Sequence, residues 1–175
     1  MWREGAALIL IAFGANLPGP LGSPEQALRA AEYRLGPLGV SVEKSSRIWR
    51  SAPVPASDQP WYCNSVARVR TSLSPEELLA ALQVLERDFG RIRTIRNAAR
   101  VLDMDIIAYD EHLFDEQGLT LPHPRMCERA FVLYPLRDVA PAWVHPVSGK
   151  SIDDLIDNLP PEQQIEPVDH EEENA

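Results

Sequence analysis

Ser23-Pro24-Glu25-Gln26 and Ser74-Pro75-Glu76-Glu77 give the same local instruction twice. Serine in each is a helix N-cap, and proline takes the first helical position, where a missing N–H leaves no bond unmade. In the first copy Gln26 can also reach back and close a capping box. Leu28, Ala31 and Leu35 then fall on one face before Gly36-Pro37 stops the helix. In the second copy Leu78, Leu82, Leu85 and Phe89 share a face, and Gly90 follows as a C-terminal cap. Strand-like runs flank both helices. Ala6 to Phe13 is apolar, Val40 to Trp49 alternates through Val40, Val42 and Ile48, and Asn64 to Thr71 and Val101 to Tyr109 complete the set. The stretch from Ser51 to Pro60 holds Pro53, Pro55 and Pro60 and cannot sit inside a sheet.

The order is therefore strand, helix, strand, strand, helix, strand. Two such β-α-β halves with right-handed crossovers give an antiparallel sheet with both helices on one face, the ferredoxin-like α+β arrangement. At 175 residues, 45% of them apolar, the chain suits one domain with a proper core. The apolar run at Ala6–Phe13 falls short of the ~20 residues a membrane span needs, and no A-x-A-like cleavage site follows it. No membrane partner is expected. With 17 Lys plus Arg against 26 Asp plus Glu, the net charge of −9 argues against a nucleic-acid partner. Cys63 and Cys127 lie far apart without a CxxC pair, which argues against a disulfide framework or structural zinc and for a reducing cytoplasm.

Beyond Asp110 the pattern predicts a short strand over 118–121, a helix over 125–136 and a short helix over 151–159. From Pro161 onward Glu162, Glu166, Asp169, Glu171, Glu172 and Glu173 stand with no Lys or Arg. Residues 1–160 are thus expected to form the folded domain and 161–175 a disordered acidic tail whose deletion changes neither stability nor activity.

The chemistry concentrates between Gly90 and Ile106. Arg91, Arg93, Arg96 and Arg100 fall within ten residues of an acidic chain, and Asp103 and Asp105 follow at once. Side chains alternate along a strand, so the two aspartates share one face while Leu102, Met104 and Ile106 point to the core. Carboxylates about 7 Å apart on a rigid strand can hold hard divalent cations, and arginine offers charged planar forks to phosphate oxygens. Together they point to Mg²⁺-dependent handling of a nucleotide or polyphosphate. The alternative is a set of surface ion pairs among these arginines, the aspartates, Glu86 and Asp88. Gly14-Ala15-Asn16 lacks the Walker A pattern, which excludes a P-loop NTPase. His123 has no second ligand at zinc spacing.

Several blocks, in order, resemble the 6-hydroxymethyl-7,8-dihydropterin pyrophosphokinases of folate biosynthesis. They are Gly14-Ala15-Asn16-Leu17, Asp58-Gln59-Pro60 with Tyr62 and Asn64, Gly90-Arg91-Ile92-Arg93, Arg100-Val101-Leu102-Asp103-Met104-Asp105-Ile106, and Pro122-His123 with Arg129 and Phe131. The likeness runs from about Leu8 to Pro141 and carries the same ferredoxin-like fold. It implies transfer of the β,γ-pyrophosphoryl unit of ATP to the pterin hydroxymethyl oxygen, with release of AMP. By that likeness Asp103 and Asp105 hold two Mg²⁺ ions. Arg91, Arg93 and Arg100 neutralise the phosphates, with Arg91 and Arg100 counted among the catalytic groups. Gln83, Glu86, Ile106, His123 and Arg129 complete the ATP site. Tyr62 and Phe131 sandwich the pterin, Asn64 reads its amide edge, and Ser51, Ala52, Pro53 and Val54 line the same pocket. The only partners implied are the two small substrates, acting on a monomer.

The chain departs from the family's habit where Asn97-Ala98-Ala99 stands in place of Trp-Gly-Pro before Arg100, where Ser51 replaces a threonine, and where Pro124 follows His123. A catalytically silent nucleotide- or pterin-binding module of the same fold is the other reading, and only turnover separates the two. If Asp103 and Asp105 are metal ligands, Asp103→Ala and Asp105→Ala should each abolish turnover while circular dichroism stays unchanged, since neither touches the core face. Activity within about threefold of wild type in either variant would refute the two-metal assignment.

Overall fold

Ile9–Ala15 forms β1, and its first three residues are buried on both faces, as a continuous apolar run requires. A computed structural model describes residues 8–20, 22–90, 101–116 and 118–168. Pro24–Leu35 forms α1 and Pro75–Asp88 forms α2. Each starts on its serine: Ser23 Oγ accepts the Gln26 N–H at 3.3 Å and Ser74 Oγ accepts the Glu77 N–H at 3.2 Å. Gln26 Oε1 accepts the Ser23 N–H at 2.8 Å, closing the capping box. After α2, Gly90 takes φ +84° and donates its N–H to Arg87 O, a left-handed turn that a side chain would strain.

The remaining core strands are β2 (Val40–Ser45), β3 (Trp49–Ser51), β4 (Tyr62–Thr71) and β5 (Asp103–Tyr109). β1 lies between β4 and β5 and is antiparallel to both, and β2 and β3 both pair with β4. This is the ferredoxin-like strand order. One strand was expected over Val40–Trp49, but two are present. Ser46 interrupts it: its N–H donates to Val66 O, and its Oγ accepts the Val66 N–H and donates to Arg47 O. A side-chain hydroxyl thus takes up a bond that a strand's backbone would otherwise make.

One face of the sheet, through Ile9, Ile11, Phe13, Met104 and Ile106, meets Leu28, Ala31 and Leu35 of α1 and Leu78, Leu82 and Leu85 of α2. Helices of the C-terminal part cover the other face, while a hairpin beside β5 adds Leu119 and Leu121 to the first core. β6 (Phe114–Glu116) and β7 (Leu119–Leu121) form a hairpin, α3 is Ala130–Val139 and α4 is Ile152–Asp157. Val132, Leu133, Leu136, Ile152 and Leu155 of these helices pack with Leu10, Val66, Ile107 and Ala108. A bulge where the β1–β5 register shifts places Ile107 and Ala108 in the same core, and Tyr109 returns to the first one. The result is three layers, with α3 and α4 opposite α1 and α2.

The disorder expected from Pro161 onward does not hold over 163–168. Ile165–Pro167 forms β8, antiparallel to β3, with Ser51↔Ile165 and Trp49↔Pro167 as partners. A free sheet edge offers backbone bonds that need no apolar side chains, which is why composition alone misjudged this stretch. Residues 169–175 lie outside the described ones.

Both cysteines are free, and burial pushes the Cys63 thiol up to about 11, so it is an inert core group. No helix among the described residues is long and apolar enough to cross a membrane. Because α2 depends on its serine for an otherwise unmatched N–H, Ser74→Ala should cost about 1 kcal/mol, read as a lower urea midpoint at unchanged slope.

Candidate functional site

The register across the sheet builds the floor of the site. Asp103 pairs with Gly14, Gly14 with Asn64, and Asn64 with Trp49, so the four residues form one row across β5, β1, β4 and β3. Directly paired residues share a face, and Trp49 shows which one. Its ring meets Tyr134 of α3 at 5.4 Å between centroids, and its indole Nε1 donates to Asp138 at 3.0 Å. Asp105 pairs with Ala12, which pairs with Val66, giving a second row on that same face. Asp103 and Asp105 therefore look toward α3, while Leu102, Met104 and Ile106 enter the opposite core, as the alternation predicts.

Strands lie about 4.8 Å apart, so roughly 10 Å separates the carboxylate end of the row from Asn64. Gly14 stands between them. A Cβ on it would come 3.3 Å from Asn64 Nδ2, so glycine keeps the floor open between the two ends. Ser51 Oγ donates to Asn64 Oδ1 at 2.6 Å, and both residues are buried. This bond fixes which way the amide points. Tyr62 pairs with Ser51 and so stands on the same face.

Asn16 is the contributor that sequence reasoning left without a role. Its buried amide donates to Gln59 Oε1 at 3.2 Å and Pro60 O at 3.0 Å, and the Tyr62 hydroxyl meets Gln59 Oε1 at 3.4 Å. The proline-rich loop is thereby tied to the end of β1. Its own block, Gly14-Ala15-Asn16 with Asp58-Gln59-Pro60, was the available signal. Ala52 and Pro53 leave β3 half-buried, and Val54 is 61% exposed.

His123 and Arg129 approach the aspartates from the α3 side. The His123 N–H donates to Ile107 O at 2.8 Å, which anchors this turn to β5. His123 Nδ1 accepts the Arg125 N–H at 3.2 Å, leaving Nε2 to carry the ring proton. Burial, then Arg129 and Arg125, hold the imidazole down to about 4, against a small opposing pull from Asp103. The Arg129 guanidinium lies 5.4 Å from the centroid of the Phe131 ring. Burial and Arg125 weaken its hold on its proton, while Asp105 and Asp103 strengthen it.

Glu86 is placed differently from Gln83. It is 3% exposed, and its Oε1 accepts the Met104 N–H at 3.1 Å on the outer edge of β5. Gln83, one turn earlier on α2, is half-buried. Ile106 is two residues beyond Met104, so its amide faces that same edge. Arg91, Arg93, Arg96 and Arg100 lie outside the described residues. Among the described residues no group of three or more His, Cys, Asp or Glu side chains is arranged to hold a metal ion. Two carboxylates on one strand face nevertheless suit Mg²⁺, which binds through one or two such groups and keeps its other positions for water and phosphate oxygens.

A ferredoxin-like sheet with a carboxylate pair, a neutral histidine and an arginine at one end of a row and a buried, oriented side-chain amide at the other suits a phosphate-handling transferase. Residues 10–141 match the family described as 7,8-dihydro-6-hydroxymethylpterin-pyrophosphokinase, HPPK. The chain belongs to this family of ATP-using pyrophosphokinases of folate biosynthesis. It is 41% identical over 150 residues to the 2-amino-4-hydroxy-6-hydroxymethyldihydropteridine pyrophosphokinase of Synechocystis, covering 86% of this chain and 75% of that one. It is 40% identical over 152 residues to the protein of that name from Pseudomonas aeruginosa, covering 87% and 91%. The folic acid synthesis protein fol1 of Pneumocystis carinii is 37% identical over 160 residues, 91% of this chain, which spans only 21% of that longer protein. The fold matches the Plasmodium falciparum HPPK-DHPS structure with pteroate at TM-score 0.70 and 10% identity, over 89% of this chain and 45% of that one.

The His123 environment gives a pH signature. Unfolding restores the ordinary value of 6.5, so the unfolded chain takes up a proton that the folded chain refuses down to about 4. Stability from this source is complete above the unfolded value and falls as the pH drops toward the folded one. His123→Gln should remove that part of the loss, seen as a smaller difference between urea melts at about pH 4.5 and about pH 7.

Proposed function

We propose that this chain transfers the β,γ-pyrophosphoryl unit of ATP to the hydroxymethyl oxygen of 6-hydroxymethyl-7,8-dihydropterin. The observation that carries this reading is the single row Asp103–Gly14–Asn64, which sets a phosphate end and a heterocycle end on one sheet face with an open floor between them. The hydroxymethyl oxygen bonds to the β-phosphorus, the bond from that phosphorus to the oxygen bridging the α-phosphorus breaks, and AMP leaves as the alcohol proton is lost.

Asp103 and Asp105 are the residues that would hold two Mg²⁺ ions, which when bound supply charge neutralisation of the polyphosphate. His123 contributes a neutral N–H donor at Nε2, and Arg129 a guanidinium braced on Phe131, to the phosphate end. Arg91, Arg93 and Arg100 supply further positive charge, with Arg91 and Arg100 counted as catalytic groups. Gln83, Glu86 and the backbone of Ile106 meet the nucleoside along the outer edge of β5. At the other end Ser51 to Val54, Tyr62, Asn64 and Phe131 take the pterin, a flat ring with an amide edge that suits aromatic faces and an oriented side-chain amide. A single chain supplies all of these residues, and two free thiols suit a reducing cytoplasm.

The product nucleotide tests the reading. With ATP and the hydroxymethyl-dihydropterin, AMP should appear in step with loss of pterin. ADP would instead indicate a different phosphotransferase, and no nucleotide cleavage would indicate a silent binding module.

A further inference from the structure

The segment from Gln163 to Val168 joins two parts of the proposed pterin end that come from distant stretches of the chain. On one side it extends the sheet along β3. Gln164 O accepts the Ala52 N–H at 3.1 Å, β8 pairs with Trp49, Arg50 and Ser51, and the Val168 N–H donates to Ile48 O at 2.9 Å. Glu166 adds an exposed ion pair to Arg50 at 3.7 Å. On the other side the Gln163 side chain grips the turn that leads into α3. Its Oε1 accepts the Ala130 N–H at 2.8 Å, and its Nε2 donates to Glu128 O at 2.7 Å.

These two bonds bracket Arg129 and immediately precede Phe131. Arg129 stands at the N-cap position of α3 and makes no side-chain cap bond. The first amide of the helix is therefore satisfied by a side chain 33 residues away. A primary amide offers one acceptor and two donors on a flat unit, so it can serve an N–H and a C=O two residues apart at once.

We propose that Gln163 is a positioning residue for the transfer reaction: through Ala130 and Glu128 it fixes the Arg129–Phe131 turn against Ser51 and Ala52, and so sets the width of the pterin slot. The inference rests on the reading that Ser51–Val54 and Phe131 line that slot. It also reverses the expectation that everything after residue 160 is dispensable.

The full-length chain and two variants test it. Gln163→Ala removes both bonds; Gln163→Glu keeps the acceptor for the Ala130 N–H and turns an oxygen toward Glu128 C=O. Losing two hydrogen bonds of ordinary strength should raise KM for the pterin about tenfold in Gln163→Ala, with a smaller rise in Gln163→Glu. The affinity for a non-hydrolysable MgATP analogue should fall by less, within about threefold, because of the proposed ATP-site residues only Arg129 lies on the turn that Gln163 holds. Assays are run well below the melting temperature of each variant, so that only folded protein is read. A pterin KM within about twofold of wild type in Gln163→Ala overturns the proposal, as does an equal loss for both substrates, which would mark general loosening. Absence of pterin turnover in the wild-type chain overturns the functional reading and this inference with it.

Discussion

The double pairing of β1 is the constraint on which the rest of the structure depends. Seven of its residues have partners on β4 and six on β5, so its register aligns two strands that do not pair with each other. A slip of one residue on either side would move Asp103 or Asn64 to the opposite face, because strand side chains alternate. Apolar burial holds the register. Ile9, Ile11 and Phe13 must face α1 and α2, and Leu10 must face α3 and α4. With both faces committed, Gly14 has one place to stand, between the carboxylate and the amide.

The second face of the sheet turns that alignment into a site. α3 packs there through Val132, Leu133 and Leu136, and Asp138 ties it to β3 by accepting from Arg47 and from the Trp49 indole. The approach brings the α3 entrance, with Arg129 and Phe131, over the sheet. The turn after β7 brings His123 to β5 through the backbone of Ile107. Burial keeps that imidazole neutral among two arginines, which removes a like charge the cluster could not accommodate. Charge in this cluster then resides in Arg125, Arg129 and the two aspartates, opposite in sign and close enough to act on one another.

Much of this was legible because it is local. A serine cap satisfies an amide three residues on, and a helix face repeats within a turn, so both helices could be read from a few adjacent residues. Asp103 and Asp105 could be placed on one face from the period of a strand alone. Glu86 marks where such reasoning stopped. Its charge suggested a partner for surface ion pairs, yet the packing of α2 on β5 buried it against the Met104 amide. The break at Ser46 was likewise invisible, since its cause is the backbone of Val66, twenty residues away.

The final segment shows the division most clearly. Its acids and lack of apolar periodicity describe a chain with no core of its own, and that much its residues determined. What they could not determine was that the edge of β3 and the uncapped start of α3 would lie within reach of residues 163–168. Sequence by itself settled α1 and α2, the order of the core strands and the shared face of the carboxylate pair, because those follow from neighbours along the chain. Only the tertiary structure decided which face the carboxylates share with Asn64, and which distant amides Gln163 would satisfy. Those contacts arise when the sheet closes its register and α3 docks, bringing together backbone groups that no spacing along the chain relates.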